Sequence, residues 1–202
     1  MDFTTSILIQ NVMGNHRAWI DLPSTEEEIL TTLSKSQIND KETFIPVDYE
    51  SELQLRIDWK VHNLKELLEF NEIYKEFDNL LLHEQMKVAA ALEYEEESLK
   101  DTIAEVKKHN FIFRDDIEDE YDLGKLYAEE EGLPYCLGDY FDYEKYGKDC
   151  AKEEGGMITN YGYITSAYNN ITYLFKHYFM VFSFSICYIY PVHLVYLLLI
   201  YP

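Results

Sequence analysis

Residues 62–108 have the sequence HNLKELLEFNEIYKEFDNLLLHEQMKVAAALEYEEESLKDTIAEVKK, which contains no Gly and no Pro over 47 residues. Apolar side chains recur there at steps of three and four, a spacing that places them on one face of a helix. This face consists of Leu64, Leu67, Leu68, Asn71, Tyr74, Phe77 and Leu81. Further helices are predicted at about 81–94 and 96–108, so a small helical bundle should form the middle of the chain.

The segment before this bundle predicts strands around one helix. Two short apolar runs, 7–9 and 18–22, flank a turn that contains Gly and favour a strand pair. The sequence PSTEEE at 23–28 supplies a hydroxyl N-cap and then acids that suit the first turn of a helix. Residues 44–49 predict an edge strand, because Pro46 cannot donate the backbone hydrogen bond that a central strand needs.

The segment after the bundle also predicts mixed structure. Residues 111–113 favour a strand, 123–131 a short helix that stops at a glycine, and 140–146 a further helical turn. Residues 157–164 predict a closing hairpin.

We therefore expect an α+β fold of three small modules. They are a mixed α/β module at 1–61, a helical middle module at 62–110 and a second mixed α/β module at 111–172. An atypical apolar tail follows at 173–202, and its residues from 178 onward include no Asp, Glu, Lys or Arg.

Acidic residues dominate this chain, since Asp and Glu number 38 against 17 Lys and Arg and the formal net charge is -21. The excess is -6 in 1–61, -6 in 62–109 and -10 in 110–155, while the remaining residues carry only Lys176. A charge spread over the whole body excludes binding to nucleic acid or anionic lipid through a basic patch, and it predicts a basic partner. Because aromatic residues make up 15% of the chain, the acidity does not indicate disorder.

The residue types that carry chemistry show no catalytic or metal-binding pattern. Cys136, Cys150 and Cys187 form no CxxC pair, and the six His are scattered without an HExxH motif. The acidic run at 115–120 lacks the central Gly and closing Glu of a calcium loop. We therefore expect no enzyme activity, no cofactor and no metal. The unpaired cysteines and an N-terminus without a basic signal region favour the reducing cytoplasm.

Six segments resemble the ArdA family of antirestriction proteins and occur in that family's order. They are AWIDLP (18–23), VDYE (47–50), LKEL (64–67), LYAEEEG (126–132), YFDYEKYGKD (140–149) and YGYI (161–164). The fourth and fifth resemble the family's antirestriction segment and are called the late segment below. The resemblance covers about residues 6–166. Lys148 stands where the family pattern has Arg, which predicts a weaker internal salt bridge.

This resemblance implies a non-enzymatic inhibitor that imitates bent duplex DNA. Such a protein occupies the DNA-binding groove of a type I restriction-modification enzyme, at its specificity and methyltransferase core, and so protects incoming mobile DNA. It is elongated, with its three modules in line, and forms a homodimer through the third. A dimer of this chain would carry twice the charge of -21, which matches about 70 Å of duplex at roughly one charge per 1.7 Å.

The resemblance also implies which residues act. Carboxylates that stand in for phosphates form two groups, whose members act collectively. The middle acids are Glu69, Glu72 and Glu76, and the late acids are Asp115, Asp116, Glu118, Asp119, Glu120, Asp122, Glu129, Glu130 and Glu131. The late segment contributes Leu126, Tyr127, Ala128, Gly132, Tyr140, Asp142, Tyr143, Tyr146, Gly147 and Asp149.

Two alternatives stay open. The chain could instead be an acidic interaction module for another basic DNA-binding protein, since composition does not distinguish one basic partner from another. The tail at 173–202 is long enough for a membrane anchor, but a non-functional extension or a packing element explains its composition as well. The expected location is the cytoplasm of a bacterial host, with anchoring through the tail as the alternative.

Overall fold

The structure is a computed structural model that describes residues 3–39, 41, 43–51, 53, 61–95, 97–133 and 140–168. Across these residues it contains six helices and two small antiparallel sheets, with strands towards both ends and helices in the middle. The predicted α+β class is confirmed. The chain divides into two compact units, Met1–Asp119 with Ile158–Ile164 and Glu120–Met157 with Thr165–Pro202. The three module boundaries stay a prediction.

The N-terminal sheet belongs to the first unit and has the strand order β2-β1-β3. Its strands are β1 (Thr5–Asn11), β2 (Arg17–Leu22) and β3 (Phe44–Ser51), and both pairings are antiparallel. Buried and half-buried residues alternate along β1, as expected when one sheet face covers a core and the other faces solvent. The predicted strand pair and the edge position of the strand with Pro46 are confirmed.

Helix α1 (Glu26–Lys35) begins where its capping signal predicts. The Thr25 side chain accepts a hydrogen bond from the Glu28 backbone, and the Glu28 carboxylate accepts one from the Thr25 backbone at 2.8 Å. These bonds satisfy two donors that the helix itself leaves without partners. The bonds that the Glu28 carboxylate accepts from the Thr25 backbone N–H and from the Thr25 hydroxyl also hold the pKa of Glu28 below its ordinary value. Ile29 and Leu33 turn the inner side of the helix towards the core.

The middle of the chain forms the three expected helices, α2 (Leu64–Asp78), α3 (Leu82–Tyr94) and α4 (Leu99–Lys107). On α2 the predicted face is confirmed, since Leu67, Asn71, Tyr74 and Phe77 are buried and Leu64 and Leu68 are half-buried. The prediction for Leu81 is wrong, because that side chain is 74% exposed. The reason is that α2 ends at Asp78. Leu81 is the N-cap residue of α3, so the helical spacing that defines the buried face of α2 does not extend to it.

One hydrophobic core joins the N-terminal sheet to these helices. The Phe3 ring lies 5.6 Å from the Phe77 ring and 5.8 Å from the Tyr161 ring, measured between centroids. The buried Asn71 bonds to the backbone of Ser24, whose N–H donates at 2.8 Å and whose carbonyl accepts at 2.8 Å. The polar member of the α2 face is therefore a satisfied link between α2 and the segment before α1, because a buried amide needs partners of this kind.

The last part of the described chain contains helices α5 (Glu120–Glu130) and α6 (Tyr143–Glu154) and a sheet of order β4-β6-β5. Its strands are β4 (Phe111–Arg114), β5 (Met157–Thr159) and β6 (Gly162–Ser166), which confirms the predicted strand and hairpin. Helix α6 is much longer than the single turn predicted at 140–146. The interior glycine lowered its apparent helix propensity, and the packing described next overrides that preference.

Helices α5 and α6 pack at very short distance in the second unit. A Cβ atom added to Gly124 would lie 1.9 Å from the Tyr143 carbonyl oxygen, and one added to Gly147 would lie 1.8 Å from the Glu120 carbonyl oxygen. Only glycine allows two helix backbones to approach so closely.

No helix in the described part of the chain is long and apolar enough to cross a membrane. The predicted tail at 173–202 lies outside the described residues.

Candidate functional site

The three middle acids are spaced by three and four residues, which places them on one side of α2, and all three are exposed. Each of them is paired with a lysine, two from α2 itself and one from α4. The Nζ–Oε1 distances are 3.6 Å for Lys65–Glu69, 2.6 Å for Lys75–Glu72 and 2.6 Å for Lys107–Glu76. The negative charge of the middle acids is therefore balanced by neighbouring lysines, which the spacing of the acids alone does not reveal.

These pairs are exposed, so they are weak. In the pair of Lys65 and Glu69 the two side chains are 85% and 64% exposed. Ion pairs in such surroundings contribute about 0–1 kcal/mol, because water already solvates both partners. Separating each lysine from its carboxylate therefore costs little free energy.

A shallow groove of about 680 Å³ lies beside two of the middle acids. Its lining includes Glu69 and Glu72 of α2, the half-buried Leu64 and Leu68, and Glu26 from the start of α1. Sequence reasoning missed Glu26 as a neighbour of these carboxylates, because 43 residues separate it from Glu69. Lys65 and Lys75 also line the groove, so it combines apolar surface with side chains of both charges.

Four of the late acids follow β4 in an exposed loop of the first unit. They are Asp115, Asp116, Glu118 and Asp119. Ile117 within this loop is 3% exposed and fixes it to the protein body. The Asp115 carboxylate lies 3.0 Å from Nδ1 of His83, whose ring lies 5.4 Å from that of Phe113. The loop is thus held at two points, while its four acidic side chains remain exposed.

The other five late acids belong to the second unit. Glu120 and Asp122 are half-buried in the first turn of α5, where the helix dipole favours negative charge. Glu129, Glu130 and Glu131 are exposed at its other end, where the dipole opposes them. The helix dipole therefore does not account for these three acids, of which Glu131 is hydrogen-bonded to the Tyr146 hydroxyl.

Most residues of the late segment build the α5–α6 pair. Ala128 is buried, Gly147 lies at the close helix contact, and Leu126 and Tyr127 are half-buried. The Tyr127 hydroxyl donates to the carboxylate of Glu154, with O–O distances of 2.6 and 2.7 Å. Glu154 is itself 2% exposed.

Aromatic rings continue this packing. Phe141 lies 5.1 Å from Tyr143 and 5.2 Å from Tyr146, between ring centroids. Burial raises the pKa of the Tyr146 hydroxyl well above its ordinary value, and a hydrogen bond to Glu131 adds to this effect. Burial likewise raises the pKa of the neighbouring Cys150 thiol to about 11, with nearby carboxylates contributing.

The remaining members of the late segment cap helices or face solvent. Asp142 caps α6 by accepting from the Lys145 backbone at 3.0 Å, and Gly132 follows α5 with φ +71°. Tyr140 is 90% exposed, and Asp149 is also exposed. Asp142 is exposed as well, although its carboxylate is engaged in the cap. Lys148, the departure from the family pattern, pairs with Glu144 at 2.6 Å.

Sequence reasoning missed two residues that shape this helix pair, Gly124 and Glu154. Gly124 had a usable signal, because a glycine inside a helical pattern often marks a close approach of another backbone. Glu154 had none, since a buried glutamate looks like any surface acid until its tyrosine partner is placed. Among the described residues, no group of three or more His, Cys, Asp or Glu is arranged to hold a metal ion.

Comparison with known proteins adds one match. A family model described as "Antirestriction protein (ArdA)" matches residues 14–165, which are 152 of the 202 residues. A search of curated proteins found no match.

Proposed function

The chain belongs to the ArdA family of antirestriction proteins, and from this premise we propose that it inhibits type I restriction-modification enzymes by imitating duplex DNA. In this proposal the protein performs no chemistry. It occupies the groove in which the enzyme's specificity and methyltransferase subunits hold DNA, and the enzyme then neither cleaves nor methylates its substrate.

The observation that carries the proposal is the distribution of the net charge of -21. Exposed carboxylates occur on α2, in the loop after β4 and at the end of α5, so neither unit is free of them. A protein that grips DNA does so with Lys and Arg side chains that displace counterions from phosphates. Carboxylates at comparable density attract the same side chains and steer association over long range.

The lysine pairs on α2 fit this mechanism. An exposed carboxylate that exchanges a single lysine for a planar arginine fork gains a bidentate contact. Because the original pair contributes little, the exchange favours the complex. The lysines would then limit repulsion among the carboxylates of the isolated protein and be replaced by cationic side chains of the enzyme in the complex. We call this the place-holder role.

The proposed working form is the family's homodimer. Two copies carry twice the charge of -21, which suits about 70 Å of duplex at roughly one charge per 1.7 Å. Sedimentation of the purified full chain tests this part separately. A monomer at concentrations that inhibit the enzyme would contradict it.

The proposal is tested with the full chain, a type I enzyme and a simple type II nuclease. We expect inhibition of both cleavage and methylation by the type I enzyme at near-stoichiometric amounts, with the type II nuclease still active. Polyglutamate at equal carboxylate concentration is the control for nonspecific polyanion effects. Equal inhibition of both nucleases would contradict specific mimicry. Absence of any inhibition would favour the alternative, an acidic module for another basic partner.

A variant with all nine late acids replaced by amides tests the carboxylates themselves. We expect clearly weaker inhibition, because these acids provide nine negative charges in a binding mode that depends on collective charge. Circular dichroism and melting show whether the variant is folded. Unchanged inhibition by a folded variant would remove the late acids from the binding surface.

A further inference from the structure

The outer face of the N-terminal sheet is open to solvent. Along β1 the buried residues are those of odd number from Thr5 to Asn11, so Ser6, Leu8 and Gln10 face away from the core. On this side Trp19 of β2 is 40% exposed and Ile45 of β3 is 39% exposed. A tryptophan on an open sheet face is unusual enough to need a reason, because its large apolar ring costs free energy in water.

Three carboxylates share this side of the sheet with the tryptophan, Asp21 on the same strand and two others on β3, beyond β1. Leu8 lies directly opposite Trp19 on one side and Asp48 on the other. The neighbouring residue on the same face, Ser6, lies opposite Asp21 and Glu50. We call the surface formed by Ser6, Leu8, Trp19, Asp21, Asp48 and Glu50 the outer sheet face. The Ser6 hydroxyl donates to Asp21 at 2.6 Å, which orients that carboxylate.

The charge of this surface favours a cationic occupant. The six residues of the outer sheet face include three carboxylates, and on the same side of the sheet they are accompanied by one cation, two residues before Trp19 on β2. The nearest cation along β2 is Arg17, whose Nε donates to Gln10 at 2.8 Å. A second copy of this chain would present the same three carboxylates and a net charge of -21, so like charges disfavour it as the occupant.

We propose that the outer sheet face docks an arginine of the partner enzyme, whose guanidinium stacks on the Trp19 ring and pairs with Asp21. Residues i and i+2 of a strand share a face about 7 Å apart, so one guanidinium can reach both groups. Tryptophan is the preferred ring for such stacking, and arginine is the cation that combines stacking with a carboxylate fork. The proposal rests on the proposed function only for the identity of the partner that supplies the arginine.

The test compares three variants of the full chain in the enzyme-inhibition assay. Trp19→Leu keeps an apolar contact with Leu8 but removes the aromatic ring, and we expect about 10-fold weaker inhibition. Trp19→Phe keeps a ring and should stay within about 3-fold of the original chain. Met13→Ala is the matched control, because Met13 is 90% exposed but lies in the turn after β1, outside this face. Melting temperatures confirm that each variant is folded.

A second measurement does not depend on the enzyme. Tryptophan emission is followed while an octa-arginine peptide is added to the full chain and to Asp21→Asn, a variant that keeps Trp19 and therefore keeps its emission. Quenching that is lost in the variant supports the docking site. If the docking site is supported in this way but no restriction enzyme is inhibited, only the proposed function is overturned. Inhibition by the original chain together with equal inhibition by Trp19→Leu would overturn the docking proposal. The docking proposal would also be overturned if Trp19→Leu altered only the self-association of the chain in sedimentation, because that result assigns the face to a second copy.

Discussion

At Gly147 the absence of a Cβ atom allows α5 and α6 to pack against each other. A Cβ atom at this position would lie 1.8 Å from the Glu120 carbonyl oxygen, and backbone on both sides leaves nothing flexible to move. Several residues of the late segment depend on this contact for their positions. The role of Gly147 is therefore structural, although the family resemblance places it in the segment associated with function.

Gly147→Ala should lower the free energy of unfolding by about 3 kcal/mol, because forced overpacking typically costs about 1–3 kcal/mol and here the clash is with backbone. Urea denaturation followed by circular dichroism measures the change. The control is Lys152→Ala, an exposed position of the same helix, for which we expect a change within about 0.5 kcal/mol. An unaltered midpoint for Gly147→Ala would contradict the close packing of the two helices.

Cys150 makes stability depend on pH in the alkaline range. Burial raises the pKa of its thiol from the ordinary 9.0 to about 11, so the folded chain keeps a proton that the unfolded chain releases. Its contribution is fully present below pH 9 and is lost as pH rises to 11, by at most about 1.4 kcal/mol per pH unit. Urea unfolding at pH 8, 9 and 10 under reducing conditions should show this decline. In Cys150→Ala the decline between pH 9 and 10 should be shallower, and an equal slope would contradict the assignment.

At the scale of elements, α2 has two different sides that serve two purposes. Its inner side carries the buried Tyr74 and Phe77, and it also carries Asn71, which bonds to the backbone of Ser24. Its outer side carries the middle acids and two of their lysines. The helix is held by the first set of contacts, so the second set can change partners without loss of the fold.

Replacing Lys65, Lys75 and Lys107 by Gln should therefore strengthen inhibition, by about 3-fold to 10-fold, because three carboxylates lose their internal partners. The net charge changes from -21 to -24. The matched control replaces Lys35, Lys41 and Lys100, which gives the same net charge and leaves the three α2 pairs intact. A titration of type I enzyme inhibition measures both variants. Equal gains would show that only total charge matters, and weaker inhibition by the first variant would contradict the place-holder role.

At the scale of the whole molecule, the acidity is a property of the folded surface. All twelve predicted carboxylates are exposed or half-buried in the structure, while the buried acid Glu154, which is not among them, is held by Tyr127. When many carboxylates contribute to binding, each one adds only a small part of the affinity. The affinity should therefore depend more on the ionic strength of the solution than on any single residue.

Raising salt from 50 to 200 mM should weaken inhibition by roughly 10³-fold if about six or more cationic side chains are engaged. The slope of log affinity against log salt should be smaller for the variant without the nine late acids. Binding of the full chain to immobilised type I enzyme at several salt concentrations provides both slopes. A salt-independent affinity would point to an apolar interface instead.

Much of the architecture follows from local sequence. The apolar spacing of 62–108, the capping signal at Thr25 and the position of Pro46 predict helices, a helix start and an edge strand that the structure contains. These signals act through neighbours in the chain, so they need no knowledge of the tertiary fold. The full length of α6 could not be predicted in the same way, because Gly147 argues against a helix until Gly124 of the other helix lies against it.

The sequence by itself determined the acidity of the chain, its α+β class and its membership of the antirestriction family, because charge, periodicity and segment order are written in the residues. Only the tertiary structure decided which carboxylates are compensated and by which lysines, since Lys107 reaches Glu76 from a helix 31 residues away. It alone also placed Asp48 and Glu50 of β3 on the same open sheet face as Trp19 of β2, because strand register, and not sequence distance, brings these strands together.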